Sequence, residues 1–232
     1  MGLSITAASV NSAMLRVYNY VFGALLLTGA VAFGAAHTPS LLAALMTKGA
    51  VLGLIILTFV LLFGMNIVRK SESATGAKAM FVAFAVVWGL LFSGVFAVYT
   101  AGSIFLAFFS AAVLFLTMSF YGYFTKRDIS TFGDYMIVGL IGLILAGFIN
   151  MIVGSNTASL VISALTVLLF LGITAWDAQT IRDSLRTADT QADIEYATIY
   201  GAVSLYLDFL NLFINLLRLF GVPGTNALSS DD

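Results

Sequence analysis

Two aspartates stand inside otherwise apolar sequence: Asp177 in LGITAWDAQTIRDS and Asp208 in YGAVSLYLDFLNLFINLLRLFG, residues Tyr200–Gly221. On a helix turning about 100° per residue, Ser204, Asp208, Asn211, Asn215 and Arg218 fall within an arc of roughly 80°. Asp208 and Arg218 then lie about 15 Å apart along the axis. Ser159, Ser163, Thr166, Thr174 and Asp177 share an arc of about 80° on the preceding apolar run. Ionised groups facing lipid cost several kcal/mol, so both stripes require protein or water against them. Two carboxylates in hydrogen-bond range do not both ionise easily; one holds or shares a proton, and the pair titrates as a unit. Such a pair is a candidate pH sensor, and equally an oxygen-rich place for a hard cation such as Ca²⁺.

The elements that must position these groups are membrane helices. The chain is 61% hydrophobic and 9% charged, with a mean hydropathy of +1.06, whereas soluble domains carry about 25% charged residues. Apolar runs occupy about Val17–Ala36, Gly49–Val68, Ala79–Tyr99, Ile104–Phe124, Asp134–Val153, Ala158–Trp176 and Tyr200–Gly221. Each is long enough to cross a hydrocarbon core of about 30 Å as a helix. The first run exceeds the apolar length of a usual signal peptide, and the short alternating segments of an outer-membrane barrel are absent. The expected fold is an all-α polytopic membrane protein with seven transmembrane helices, the last one central. Its expected organisation is an N-terminal cytoplasmic segment (1–16), a transmembrane domain (17–221) and a short tail (222–232).

Within that plan, Arg182–Glu195 reads as the longest polar loop, and Asp183, Asp189, Asp193 and Glu195 as its solvated face. That cluster lacks the spacing of an EF-hand. The two carboxylates of interest meet only if the sixth helix continues past Asp177 toward Arg186. Gly139, Gly142, Ala146 and Gly147 offer small surfaces for close packing of the fifth helix. Arg16 precedes the first span, and Arg69, Lys70, Lys78, Lys126, Arg127, Arg182 and Arg186 follow the second, fourth and sixth. The remaining inter-span loops hold Lys48 alone. By the positive-inside rule the N-terminus is cytoplasmic and the C-terminus outside.

Several chemistries find no residues to carry them. With no cysteine, disulfides, thiolate catalysis and Cys-based metal sites are excluded, and the single histidine, His37, makes no His-rich site. There is no basic domain to hold nucleic acid. A retinal protein needs a lysine in its last helix, and Tyr200–Gly221 has none. An intramembrane aspartyl protease carries YD and GxGD patterns, but the contexts here are Trp176-Asp177 and Tyr206-Leu207-Asp208. A serine rhomboid would need a histidine paired with a membrane serine, and His37 sits elsewhere. The protein is therefore expected not to be an enzyme and to hold no tightly bound cofactor.

AWDAQTIR, GAVSLYLDFLNLFINLLRLFG and the YGYFTKRDISTFG segment at Tyr121–Gly133 together resemble the Bax inhibitor-1 family (transmembrane BAX inhibitor motif proteins), specifically its bacterial members. The resemblance covers nearly the whole chain. It implies seven helices with the last surrounded by two three-helix layers, in a multi-pass protein of the bacterial inner membrane. It also implies a pH-sensitive leak in which Ca²⁺ is the transported ion and Asp177 and Asp208 form the sensor and Ca²⁺ contact. A basic residue at the end of the second helix modulates the pair in the family, and Arg69 is its best match. Arg218 matches an outer-end arginine; the acidic partner usual on the second helix is missing, since Gly49–Val68 has no Asp or Glu. Asn211, Asn215 and Arg218 would line or latch the same path. Bacterial relatives lacking the aspartate pair are associated with restraint of a membrane protease, so a non-conducting regulator of a membrane partner is the alternative.

Overall fold

The computed structural model describes residues 7–70 and 74–224, apart from the side chains of residues 7, 8, 66 and 68–70. The helices are α1 (Ala7–Ala36), α2 (Pro39–Leu45), α3 (Lys48–Lys70), α4 (Ala74–Val98), α5 (Ala101–Phe124), α6 (Ser130–Val153), α7 (Asn156–Arg186) and α8 (Gln191–Phe220). All except α2 are long and apolar enough to cross a membrane, giving the seven spans of an all-α membrane protein. The expected sixth and seventh helices are therefore α7 and α8. The spans differ in enclosure: 61% of the apolar window of α8 is buried, against 39% for α7 and 0% for α6.

Local chemistry sets where several helices begin and end. Pro39 opens α2, a first-turn position where a missing N–H is harmless. Gly154 closes α6 at φ 72°, left-handed backbone that glycine adopts freely, and its N–H returns to the Asn150 carbonyl at 2.7 Å. Before α8, the Thr190 hydroxyl accepts from the Asp193 N–H at 3.1 Å, while the Asp193 carboxylate accepts from the Thr190 N–H at 3.0 Å. This reciprocal capping box satisfies donors that the first turn leaves open.

That cap explains the main departure from the sequence reading. The expected loop Arg182–Glu195 shrinks to residues 187–190, because α7 runs on to Arg186 and α8 already starts at Gln191. Its acidic residues are not merely a solvated face. Asp193 caps α8, Glu195 lies 3.4 Å from Lys78, and Asp183 lies 2.8 Å from Arg182. The helix α1 starts at Ala7 rather than Val17, and α2 occupies a stretch with no expected element.

The chain forms two compact units. Among the described residues, the first comprises 7–70, 74–100, 185–203 and 223–224. In it α1 and α4 pack closely: the Thr28 hydroxyl donates to the Ala85 carbonyl at 3.0 Å. A Cβ on Gly89 would fall 2.7 Å from Val31 Cβ and 2.9 Å from the Thr28 carbonyl. Tyr200, on the first part of α8, donates its hydroxyl to the Met65 carbonyl of α3.

The second unit comprises residues 101–184 and 204–222. Here α5 meets α7 so tightly that a Cβ on Gly122 would fall 2.0 Å from the Ala175 carbonyl oxygen. A Cβ on Gly133, at the start of α6, would fall 2.3 Å from the Trp176 ring. A Cβ on Gly172 of α7 would likewise fall 2.5 Å from the Met136 side chain of α6, so the close approaches are made here and not by the expected set further along α6. Gly142 and Gly147 face nothing within 4 Å, and Gly139 meets only the Leu169 side chain. From α5, Phe108 and Phe115 set their rings edge-on to Phe209 of α8, with centroids 5.2 and 5.7 Å apart.

Candidate functional site

The candidate site lies wholly within the second unit, where α7 and the later part of α8 bring four oxygen-bearing side chains together. A loop of residues 187–190 joins the two helices, so they run antiparallel. The continuation of α7 past Asp177 was the condition for the carboxylates to approach, and α7 meets it. Asp177 is 9% exposed and Asp208 3% exposed. The Ser204 hydroxyl donates to Asp177 Oδ2, a hydrogen bond from α8 to α7. Thr174, fully buried, has one hydroxyl proton and two acceptors in reach: the Phe170 carbonyl at 2.7 Å and the Asp208 carboxylate.

Helical spacing gives this patch its shape. Ser204 and Asp208 are one turn apart on α8, and Thr174 and Asp177 are one turn apart on α7. The contacts cross over, Asp177 to Ser204 and Asp208 to Thr174. Each carboxylate thus faces a hydroxyl of the opposite helix, and the charge of Asp177 acts on Asp208. The balance is uneven. Asp208 Oδ2 is buried with no hydrogen-bond partner, although buried polar atoms are satisfied in the great majority of cases.

A second set of contacts fixes the height of Asp177. About one and a half turns beyond it the Arg182 guanidinium, 8% exposed, donates to the carbonyls of Tyr123 at 2.8 Å and Thr125 at 2.9 Å. The last carbonyls of a helix lack intrahelical donors, and a cation there also opposes the helix dipole. Gln179 accepts from the Ile129 N–H at 2.9 Å and donates to the Arg127 carbonyl at 2.8 Å. Together these two side chains pin the connection between α5 and α6 to α7.

The other expected residues stand apart from the pair. Asn211 donates to the Leu207 carbonyl and Asn215 to the Asn211 carbonyl, each at 2.9 Å, so both amides bond back along their own helix. Arg218 is exposed in the last turn of α8, and no carboxylate lies within ion-pair distance of it among the described residues. Arg69 lies in the last turn of α3, and its side chain falls outside the described residues. Among the described residues no group of three or more His, Asp or Glu gathers. A cation at the pair would meet two carboxylates and two hydroxyls.

Four contributors were not singled out from sequence: Ser204 and Thr174 as partners of the carboxylates, and Arg182 and Gln179 as anchors. The first two were visible as members of the polar stripes. Arg182 and Gln179 reach distant backbone carbonyls, for which sequence holds no signal.

The family described as "Inhibitor of apoptosis-promoting Bax1" matches residues 10–224. The inner membrane protein YbhL of Escherichia coli K12 is 37% identical over 217 residues, covering 92% of this chain and 93% of that protein. An uncharacterized protein of Deinococcus radiodurans is 35% identical over 214 residues, covering 92% of each chain. A Streptococcus pyogenes membrane protein is 40% identical over 153 residues, or 66% of each chain.

Proposed function

The chain belongs to the Bax inhibitor-1 family, and from that premise we propose that it is a pH-sensitive Ca²⁺ leak of the bacterial inner membrane, gated by Asp177 and Asp208. The observation that carries this reading is the buried Asp208 carboxylate with an unpartnered oxygen beside Asp177. Unpaired buried carboxyl oxygens destabilise a membrane helix bundle, and ionisable residues inside a membrane mark ion and proton paths. Protonation changes the force between the two carboxyl groups and hence between α7 and α8. A divalent cation between them neutralises the same repulsion. Ca²⁺ takes six to eight oxygens, so two carboxylates and two hydroxyls hold it only with water in the remaining positions. That suits a passing ion better than a resident one.

In this reading Asn211, Asn215 and Arg218 continue the polar stripe along the path, and Arg69 modulates the pair. No covalent step is catalysed and no cofactor is held. In the same reading the N-terminus is cytoplasmic and the C-terminus outside, which the distribution of Lys and Arg supports. The inner membrane assignment follows that of the Escherichia coli relative, the inner membrane protein YbhL.

The test is Ca²⁺ flux into liposomes containing only this protein, across a pH series, beside Asp177→Asn and Asp208→Asn. The expected result is pH-dependent flux in the native chain and loss of that dependence in each variant. Folded protein with no flux above empty liposomes at any pH would overturn the leak reading. The remaining account would then be a non-conducting regulator that binds a membrane protease or another membrane protein.

A further inference from the structure

Resting on the gate reading, we propose that Ser204 is a positioning residue of the gate, holding Asp177 on the turn of α8 that precedes Asp208. The hydroxyl of Ser204 donates to Asp177 Oδ2. Ser204 lies four residues before Asp208 on one face of α8, a separation of about 6 Å along the axis. The Asp177 carboxylate is therefore engaged one turn away from Asp208. The pair interacts through charge while Asp208 Oδ2 keeps no hydrogen-bond partner.

Apart from Arg69, proposed above as a modulator, few other charges among the described residues of the second unit complicate this arrangement. From α8 the ionisable group acting beside Asp177 is Asp208. The helix α5, packed against α7 at Gly122, carries only Tyr121 and Tyr123 as ionisable groups. The helix α6, packed at Gly133, carries Asp134 and Tyr135, both exposed. Further along α7 itself, Arg182 is occupied by the Tyr123 and Thr125 carbonyls and by Asp183.

A hydroxyl donor favours a charged carboxylate over the neutral acid. Removing it from Ser204 also releases Asp177 to approach Asp208, and nearness of a like charge again disfavours ionisation. Both effects have the same sign. In Ser204→Ala the pH at half-maximal flux is expected to move upward by about 0.5–1 unit, with Ser204→Thr, which keeps a hydroxyl, restoring the native midpoint. A residue that merely packs would change yield or thermal stability and leave the midpoint in place.

The experiment measures Ca²⁺ flux against pH for the full chain and both variants in liposomes. Carboxyl protonation is followed in parallel by infrared difference spectroscopy on the same samples. Infrared titration needs no flux, so it separates this proposal from the leak itself. If the native chain does not conduct, the leak reading fails, and an upward shift of the carboxyl titration in Ser204→Ala still supports the positioning role. Native titration and native midpoint in Ser204→Ala would overturn it. Should the alanine variant not fold, Ser204→Cys, with its weak donor, is expected to show a shift of the same sign. An unshifted Ser204→Cys would overturn the proposal equally.

Discussion

Asp128 and Asp208 differ in surroundings, and the surroundings decide what each carboxylate does. Asp128 is exposed in the connection between α5 and α6, where Oδ1 accepts the Ser130 N–H at 2.9 Å. That backbone hydrogen bond, with the Ser130 side chain adding to it, holds the Asp128 carboxyl below the usual carboxylate range. A folded value below the unfolded one means the contribution is present at neutral pH. It is lost as pH falls through the folded value. Asp128→Asn is therefore expected to melt slightly below the native chain at pH 7, with the difference vanishing in acid; an equal difference at both pH values would refute the linkage. Asp208, by contrast, is 3% exposed, lies beside Thr174 and Asp177, and leaves one oxygen unpaired. The two aspartates of the site were legible from sequence because charge inside an apolar run stands out. Their hydroxyl partners were less so, since Ser and Thr are common within membrane spans and any of the stripe residues had equal standing.

At the scale of elements, glycine separates packing contacts from open surface. The Cβ of an alanine at Gly122 would meet a backbone carbonyl of α7 at 2.0 Å, which no side-chain rotation relieves. Gly122→Ala is expected to destabilise the fold by about 1–3 kcal/mol through overpacking. The clash also displaces the segment carrying Asp177. Gly142 has nothing within 4 Å, so Gly142→Ala should be neutral or stabilising by up to about 1 kcal/mol through helix propensity. Thermal unfolding in detergent compares them, and equal melting temperatures would contradict the packing assignment. The seven long helices and their order were legible because apolar runs of membrane length are unmistakable; the short α2 was not. Helix ends were not. The extension of α7 to Arg186 depends on Arg182 and Gln179 reaching the α5–α6 connection, and the early start of α8 depends on the Thr190–Asp193 cap. Polar residues there resemble a loop until those partners are known.

For the whole molecule, seven apolar spans among the described residues and a one-sided distribution of basic residues predict a topology that can be checked directly. The chain has no cysteine, so single substitutions report accessibility without background. In cells, a membrane-impermeant thiol reagent applied from outside is expected to label Ser155→Cys and to spare Asp189→Cys; the opposite pattern would invert the orientation. The division into two compact units was not legible from sequence, because it splits α8 between Val203 and Ser204, within one unbroken apolar run. Of the candidate site residues, Ser204 and Asp208 lie just past that division on α8. In the proposed leak, Asp177 and Asp208 act as a single gate. The most direct test is a double-mutant cycle on pH-dependent Ca²⁺ flux, using Asp177→Asn, Asp208→Asn and the double variant in liposomes. A shared gate predicts that the double variant loses no more pH dependence than either single one. Additive losses in the double variant would show two independent sites and contradict it.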